Sequence, residues 1–224
     1  MRKKTKADPN ESYVNRRRNI LTNQSAFHVQ EAYNTLRTHV RFSLSGNGCK
    51  RICITSCSAG EGKSITILNL AISFAQTGQK VLLIDGDMRR PSLAKLLIEK
   101  PSPGLSNYLA GLNTENEVIR KSVYENLDVI LSGEIPPNPS ELLGSDTMLK
   151  MLDEMAKRYD YILLDLPPVG VVSDACVIAN SLHGVLFLVR QNSTERDAVA
   201  SCVKQLELSG VKLLGFVLNG DQGV

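Results

Sequence analysis

The feature that most constrains the fold is a glycine-rich segment between two apolar stretches. Residues 55–66 read TSCSAGEGKSIT; an apolar run precedes them and a run with helical spacing follows. Strand, loop and helix in this order predict a phosphate-binding loop, in which backbone N–H groups and the positive end of the helix surround the phosphates. Gly60 and Gly62 let the backbone close around them. Lys63 reaches the outer phosphates, and Ser64 offers its hydroxyl to Mg²⁺.

The loop departs from the usual pattern G-x-x-x-x-G-K-[ST] at one position, where Cys57 replaces the first glycine. A short side chain can make that turn, and the Gly-Lys-Ser part keeps the groups that touch phosphate. A chance match in an ordinary turn is the alternative for this segment taken alone. The candidate nucleotide contacts are Ala59, Gly60, Glu61, Gly62, Lys63, Ser64 and Ile65.

Strands and helices alternate along the chain, which predicts an α/β domain. The apolar strands show no alternation with polar residues, so they favour a mostly parallel sheet covered by helices on both faces. We predict strands at 51–56, 80–85, 126–131, 161–165, 184–189 and 213–218. We predict helices at 27–44, 64–77, 90–99, 146–158, 173–181 and 195–209, with a less regular stretch at 101–139.

Charge divides the chain into two parts. Residues 1–19 hold seven Lys or Arg and two acids, a net charge of +5, and the remaining residues sum to −2. We therefore predict a basic flexible arm over 1–26 and a nucleotide-binding domain over 27–224. Such an arm suits an anionic membrane surface, nucleic acid or an acidic partner, and a solvated arm with no partner is the alternative. No apolar stretch has the roughly 18–20 residues of a membrane span, so we expect a cytoplasmic protein.

Acidic residues end two of the apolar strands. Asp85 and Asp87 follow VLLI, and Asp165 follows YILL. The carboxyl ends of parallel strands share one edge of the sheet, where the phosphate loop also lies. We expect Asp165 and one of Asp85 and Asp87 to coordinate Mg²⁺, and the other to act as general base for an incoming hydroxyl. The sequence leaves open which is which.

With these motifs, the chain from residue 31 to 219 resembles the bacterial tyrosine kinases of the CpsD/CapB branch, which work in capsule and exopolysaccharide production. TSCSAGEGKS is similar to the Walker A motif of that family, VLLIDGDMRRP to its Walker A′ motif, and ILLDLPPV with Ser173-Asp174-Ala175 to its Walker B region. SGEIPPNPSELL is similar to its linking segment.

The resemblance implies ATP-dependent phosphoryl transfer to tyrosine hydroxyls of the protein itself and of other proteins. It implies that Lys63 and Ser64 serve phosphate and Mg²⁺, that Asp85 and Asp87 are catalytic and metal-linked, and that Asp165 completes the metal site. It also implies a membrane adaptor whose cytoplasmic tail activates the kinase and recruits it to the inner face of the membrane.

Two features differ from the family. Its interface helix carries a Glu and two Arg at three-residue spacing, whereas residues 27–44 carry Glu31, Asn34 and Arg37. We therefore expect a homo-oligomer through Glu31 and Arg37 that Asn34 weakens. The family also carries a tyrosine-rich C-terminal tail, and residues 219–224 hold no tyrosine. Either the sequence is short of that tail or self-phosphorylation uses another site, with Tyr13 as the most accessible candidate.

Two other functions remain as alternatives. One is an ATP-binding switch that changes its assembly with an adaptor and transfers little phosphate. The other is an ATPase of the MinD/ParA type acting on membrane or DNA. That group carries an extra lysine early in the loop, where this chain has Ser58, so we regard nucleic acid as an unlikely partner.

Overall fold

A computed structural model describes residues 17–220 of the 224-residue chain. Seven strands form one sheet in the order β3-β4-β2-β5-β1-β6-β7. All neighbours are parallel except β3 and β4, which are antiparallel. The strands are β1 (Lys50–Ser56), β2 (Val81–Asp85), β3 (Ile119–Lys121), β4 (Leu127–Ile130), β5 (Tyr161–Asp165), β6 (Gly184–Arg190) and β7 (Leu213–Asn219).

Helices connect the strands and cover the sheet. They are α1 (Phe27–Ser43), α2 (Lys63–Ala75), α3 (Leu93–Leu97), α4 (Leu105–Leu109), α5 (Glu115–Val118), α6 (Pro139–Leu143), α7 (Asp146–Met155), α8 (Asp174–Val177) and α9 (Arg196–Leu208), with a 3₁₀ turn at Ala179–Ser181. The predicted α/β fold with a mostly parallel sheet is confirmed.

The side chains of each central strand divide between two apolar cores. On β1, Ile52 and Ile54 lie in the core beneath α2, whereas Cys53 lies in the opposite core with Met151 and Leu152 of α7. Successive side chains of a strand point to opposite faces, so a strand covered on both faces must be apolar at every position. This explains the unbroken apolar strands of the sequence.

The region 101–139 is more regular than the sequence indicates. It contains the predicted strand, shortened to β4, and also α4, α5 and the antiparallel β3. These elements have three to five residues each, too short to show a helical or strand period. The predicted helix at 173–181 is divided into α8 and the 3₁₀ turn.

Part of the predicted arm packs against the domain. Leu21 is buried, its N–H donates to Asn69 Oδ1 (2.8 Å), and Asn69 Nδ2 donates to the carbonyl of Asn19 (2.8 Å). Arg17 Nε donates to the carbonyl of Leu96 in α3 (3.2 Å). Residues 17–26 therefore follow the surface of α2 and α3, while Tyr13 lies outside the described residues. No helix of the described part is long and apolar enough to span a bilayer.

Candidate functional site

The phosphate loop joins β1 to α2 and has the backbone that its glycines allow. Gly60 and Gly62 have φ of 82° and 107°, values that L side chains rarely adopt. A Cβ on Gly62 would lie 2.2 Å from Asn219 Nδ2. Any larger residue at position 62 would therefore displace Asn219 as well as strain the turn.

Lys63 and Ser64 begin α2, whose 13 residues are almost all buried. Both side chains line a cavity of about 1130 Å³, which Ala59, Gly60, Gly62 and Ile65 also line. The free N–H groups and the positive dipole end of α2 point to the same space. Six of the seven candidate nucleotide contacts thus lie around one cavity.

The seventh, Glu61, has its carboxylate turned away from the cavity. The side chain is buried and accepts hydrogen bonds from the backbone N–H of Ser58 (3.1 Å) and from the Thr194 hydroxyl. The Glu61 carbonyl accepts from Asn219 Nδ2 (2.6 Å), and the Gly60 carbonyl accepts from Arg190 Nη1 (3.2 Å). The Glu61 side chain joins the loop to Thr194 after β6, and the two carbonyls join it to β6 and β7. A phosphate would therefore meet Glu61 through its backbone.

Asp85 and Asp165 lie side by side at the carboxyl ends of β2 and β5, where the register pairs them directly. Both are fully buried. Asp85 Oδ2 accepts from the backbone N–H of Leu93 (3.2 Å), whereas Asp85 Oδ1 and both oxygens of Asp165 have no hydrogen-bond partner in the described chain. Buried carboxylate oxygens without partners are costly, and they are the ligands that Mg²⁺ prefers. The residues present therefore fit a divalent cation.

Burial, together with neighbouring carboxylates, raises the pKa of both carboxyls. Burial raises the pKa of Asp165 to about 7, with Lys63 and the Ser64 hydroxyl opposing part of the change and Asp87 adding to it. The pKa of Asp85 lies well above its usual range because of burial and the charges of Asp165 and Asp87. Without a cation, this pair holds a proton near neutral pH.

Asp87 is the carboxylate that faces the cavity. It is only partly buried and lines the cavity wall, and its Oδ1 accepts from the backbone N–H of Arg90 (3.0 Å). Ser92 also lines the cavity and donates its hydroxyl to Ser64 Oγ (2.5 Å). Of the two acids that the sequence left undecided, Asp87 is open to an incoming group and Asp85 is enclosed.

An ion pair between the exposed Arg89 and the buried Asp174 fixes the loop that carries Asp87. Arg89 donates from Nε and Nη2 to the two oxygens of Asp174 (both 3.2 Å), and Ser140 Oγ donates to Asp174 Oδ1 (2.6 Å). Arg89 Nη2 also donates to Ser140 Oγ (2.8 Å). This cluster joins the loop after β2, the A′ loop (residues 86–92), to α6 and α8. The sequence does not connect these three segments, because no spacing rule relates side chains 34 to 85 residues apart.

Comparison with known proteins gives a consistent result. The AAA domain family matches residues 49–188. The tyrosine-protein kinase YwqD of Bacillus subtilis (strain 168) is 38% identical over 190 residues, which cover 85% of this chain and 80% of YwqD. The chain belongs to the bacterial tyrosine-protein kinases. The resemblance found in the sequence is thereby confirmed.

Solved structures lead to the same family. The kinase domain of Escherichia coli tyrosine kinase ETK superposes with a TM-score of 0.83 at 36% identity, covering 88% of this chain and 78% of that domain. The cell division ATPase MinD of Pyrococcus furiosus superposes with a TM-score of 0.64 at 25% identity, covering 78% of this chain and 75% of MinD. The P-loop fold is shared with MinD, and the kinase domains are closer in both structure and sequence.

The residues predicted for an oligomer interface make contacts within the chain. Asn34 Nδ2 donates to Glu31 Oε1 (2.9 Å) on the exposed side of α1. Arg37 Nη1 donates to the carbonyl and the hydroxyl of Ser73 (both 2.7 Å), which fastens α1 to α2. Arg37 therefore has a role in the monomer, and oligomerisation through it stays a prediction.

The raised pKa of Asp165 predicts a pH-dependent stability. In the folded metal-free protein the carboxyl binds a proton up to about pH 7, whereas the unfolded chain loses it near pH 4. Stability should therefore fall as pH rises through this window. Asp165→Asn should raise the free energy of unfolding by about 2–4 kcal/mol at pH 8, and by little at pH 4, in urea titrations without Mg²⁺.

Asp197→Asn, an exposed change in α9, is the control and should show no such pH dependence. Lower stability of Asp165→Asn than of wild type at pH 8 would show that ionised Asp165 does not destabilise the metal-free fold.

The ion pair of Arg89 and Asp174 predicts a second effect. Asp174→Asn should leave ATP affinity nearly unchanged and lower the rate of tyrosine phosphorylation about tenfold or more, because small displacements of a catalytic group are costly. Ser140→Ala should lower the same rate less, since Arg89 and Asp174 keep their direct contact. Single-turnover phosphorylation with saturating ATP would measure this. Equal rates for Asp174→Asn and wild type would show that the cluster does not position Asp87.

Proposed function

We propose that this chain transfers the γ-phosphoryl group of ATP to tyrosine hydroxyls with the help of Mg²⁺. The observation that carries the proposal is the buried Asp85–Asp165 pair, three of whose carboxylate oxygens have no partner in the described chain, together with Asp87, which lines the cavity of the phosphate loop. A phosphate loop alone binds a nucleotide. The three carboxylates add the ligands for a cation and a base for an acceptor.

Each residue has a role that its position supports. Lys63, the backbone of residues 59–65 and the end of α2 hold the phosphates, and Lys63 neutralises charge that develops on the transferred group. Ser64, Asp87 and Asp165 would hold the cation, directly or through water. Asp85 lies opposite Asp165 on the neighbouring strand. A bound Mg²⁺ supplies charge neutralisation at the phosphates.

Asp87 is also the group best placed to receive the acceptor proton. When the tyrosine oxygen bonds to the γ-phosphorus, the bond to the bridging oxygen of ADP breaks and the hydroxyl proton passes to a carboxylate. Asp85 is fully buried and accepts from Leu93, so it is closed to the acceptor. We therefore assign the base role to Asp87 and a positioning role to Asp85, which lies directly opposite the cation ligand Asp165.

The cellular setting follows from the family resemblance. We propose that the kinase acts in capsular or exopolysaccharide biosynthesis, on itself and on other protein tyrosines. A membrane adaptor of the polysaccharide co-polymerase type would activate it through a cytoplasmic tail and hold it at the inner face of the membrane. Copies of the chain would associate through α1, with Glu31 and Arg37 in the contact and Asn34 weakening it.

A second candidate is a nucleotide-dependent switch with little kinase activity. One observation favours it: Arg37 is already bonded to Ser73, and Glu31 to Asn34, within one chain. If autophosphorylation requires assembly through these side chains, the isolated chain would bind ATP and react slowly.

The two candidates differ in one experiment. The purified chain is incubated with ATP and Mg²⁺, with and without an adaptor tail, and phosphotyrosine is mapped by mass spectrometry. Lys63→Ala should abolish the signal, and Asp87→Asn should lower the rate by about 10²–10⁴ with ATP affinity within about threefold. Asp197→Asn should match wild type.

Phosphate on a tyrosine that depends on Lys63 and Asp87 would support the kinase. ATP binding with no modified tyrosine, even on an added substrate, would support the switch.

A further inference from the structure

The cavity of the candidate site is larger than a nucleotide pocket requires. At about 1130 Å³ it exceeds the roughly 300–1,000 Å³ of most small-molecule sites. The phosphate loop occupies one side only. Six residues of the N-terminal segment and α1 also line the cavity: Arg18, Asn19, Ser25, Ala26, Val29 and Tyr33. A second substrate therefore has space beside the nucleotide.

The two ends of the cavity are distinguished by contacts to the loop. Arg190 donates to the Gly60 carbonyl and Asn219 to the Glu61 carbonyl, so these side chains mark the end near the start of the loop. Ser92 donates to Ser64 Oγ, so the beginning of α3 marks the end where the cation and the outer phosphates would lie. An acceptor hydroxyl must approach this second end, next to Asp87.

Two arginines lie at the acceptor end with no partner for their charge. Arg90 lies three residues before α3, and Arg18 follows Arg17, whose Nε donates to the Leu96 carbonyl of that helix. Both guanidinium groups line the cavity, are exposed, and make no hydrogen bond or ion pair with any residue in 17–220. Arg89, which also lines the cavity, is already paired with Asp174.

The charge of the wall is strongly positive. Arg18, Lys63, Arg89, Arg90 and Arg190 line the cavity, and Asp87 is the only acid of the described residues that does so. Lys63 would bind phosphate, Arg89 is paired with Asp174, and Arg190 donates to a carbonyl of the phosphate loop. Arg18 and Arg90 remain to act on whatever enters next to the nucleotide.

We propose that Arg18 and Arg90 form a subsite for acidic residues that flank the acceptor tyrosine, so that the kinase prefers tyrosines in an acidic context. The inference rests on the proposed kinase function and adds the class of substrate. Carboxylates form bidentate pairs with guanidinium groups, and complementary charge also speeds association. The simpler use of these arginines, as additional contacts for ATP, predicts a different result in the following experiment.

Two peptides test the subsite. Each holds one tyrosine, flanked on both sides by Glu in the first and by Gln in the second. Their affinities for the full chain are measured by fluorescence anisotropy with ADP and Mg²⁺ present. We expect the Glu peptide to bind about five- to tenfold more tightly, because each exposed pair contributes modestly. The difference should shrink as salt is raised.

Variants assign the effect to residues. Arg18→Ala and Arg90→Ala should each reduce the preference for Glu, and together they should remove it, while ATP affinity changes less than about twofold. Arg196→Ala is the matched control, since it removes an exposed arginine in α9 that does not line the cavity. Equal binding of the two peptides to wild type would overturn the proposal. So would a loss of ATP affinity in the two variants that exceeds the loss of peptide affinity.

Phosphorylation of the same peptides separates this inference from the proposed function. If the Glu peptide binds more tightly and neither tyrosine is modified, the subsite stands and the kinase function fails. If both tyrosines are modified at equal kcat/KM and bind equally, the kinase function stands and the subsite is wrong.

Discussion

The sheet places two buried carboxylates side by side, and the site depends on how their negative charges are compensated. β2 and β5 are parallel neighbours whose register places Asp85 opposite Asp165, both without exposure to water. Such a pair is unfavourable in an apolar interior unless a proton or a cation shares it. Lys63, at the start of α2, supplies part of the compensation, and a cation bound with the nucleotide would supply the rest. The ionised pair is therefore unfavourable without a cation, and binding of a cation would stabilise it.

Hydrogen bonds and an ion pair hold the two loops next to this carboxylate pair in place. The phosphate loop is tied to β6 and β7 through Glu61, Arg190 and Asn219. The A′ loop is tied to α8 and α6 by the pair of Arg89 and Asp174 with Ser140. Asp87 lies between these supports with one side open. Polar groups that are braced in advance need little reorganisation during phosphoryl transfer, which is the main physical source of catalysis in such sites.

The sequence predicted the parts of the fold that follow from local patterns. Apolar runs predicted the central strands, and the Gly-Lys-Ser loop predicted that β1 is followed by α2. It could not predict α4, α5 and β3, which are too short to show a period, or the packing of residues 17–26, which depends on Leu21 and Asn69 meeting across 48 positions. It placed Asp85, Asp87 and Asp165 at one edge but could not separate their roles, because burial is a tertiary property. The bracing role of Glu61 was missed for the same reason.

The claim that a cation replaces a proton on the buried pair can be measured directly. Calorimetric titration of the metal-free chain with ADP and Mg²⁺, in buffers of different ionisation enthalpy, counts the protons released. Near pH 6.5, below the pKa of about 7 for Asp165, binding should release protons beyond those from the nucleotide itself, and the excess should be smaller near pH 8.5. An excess of zero at both pH values would contradict the account.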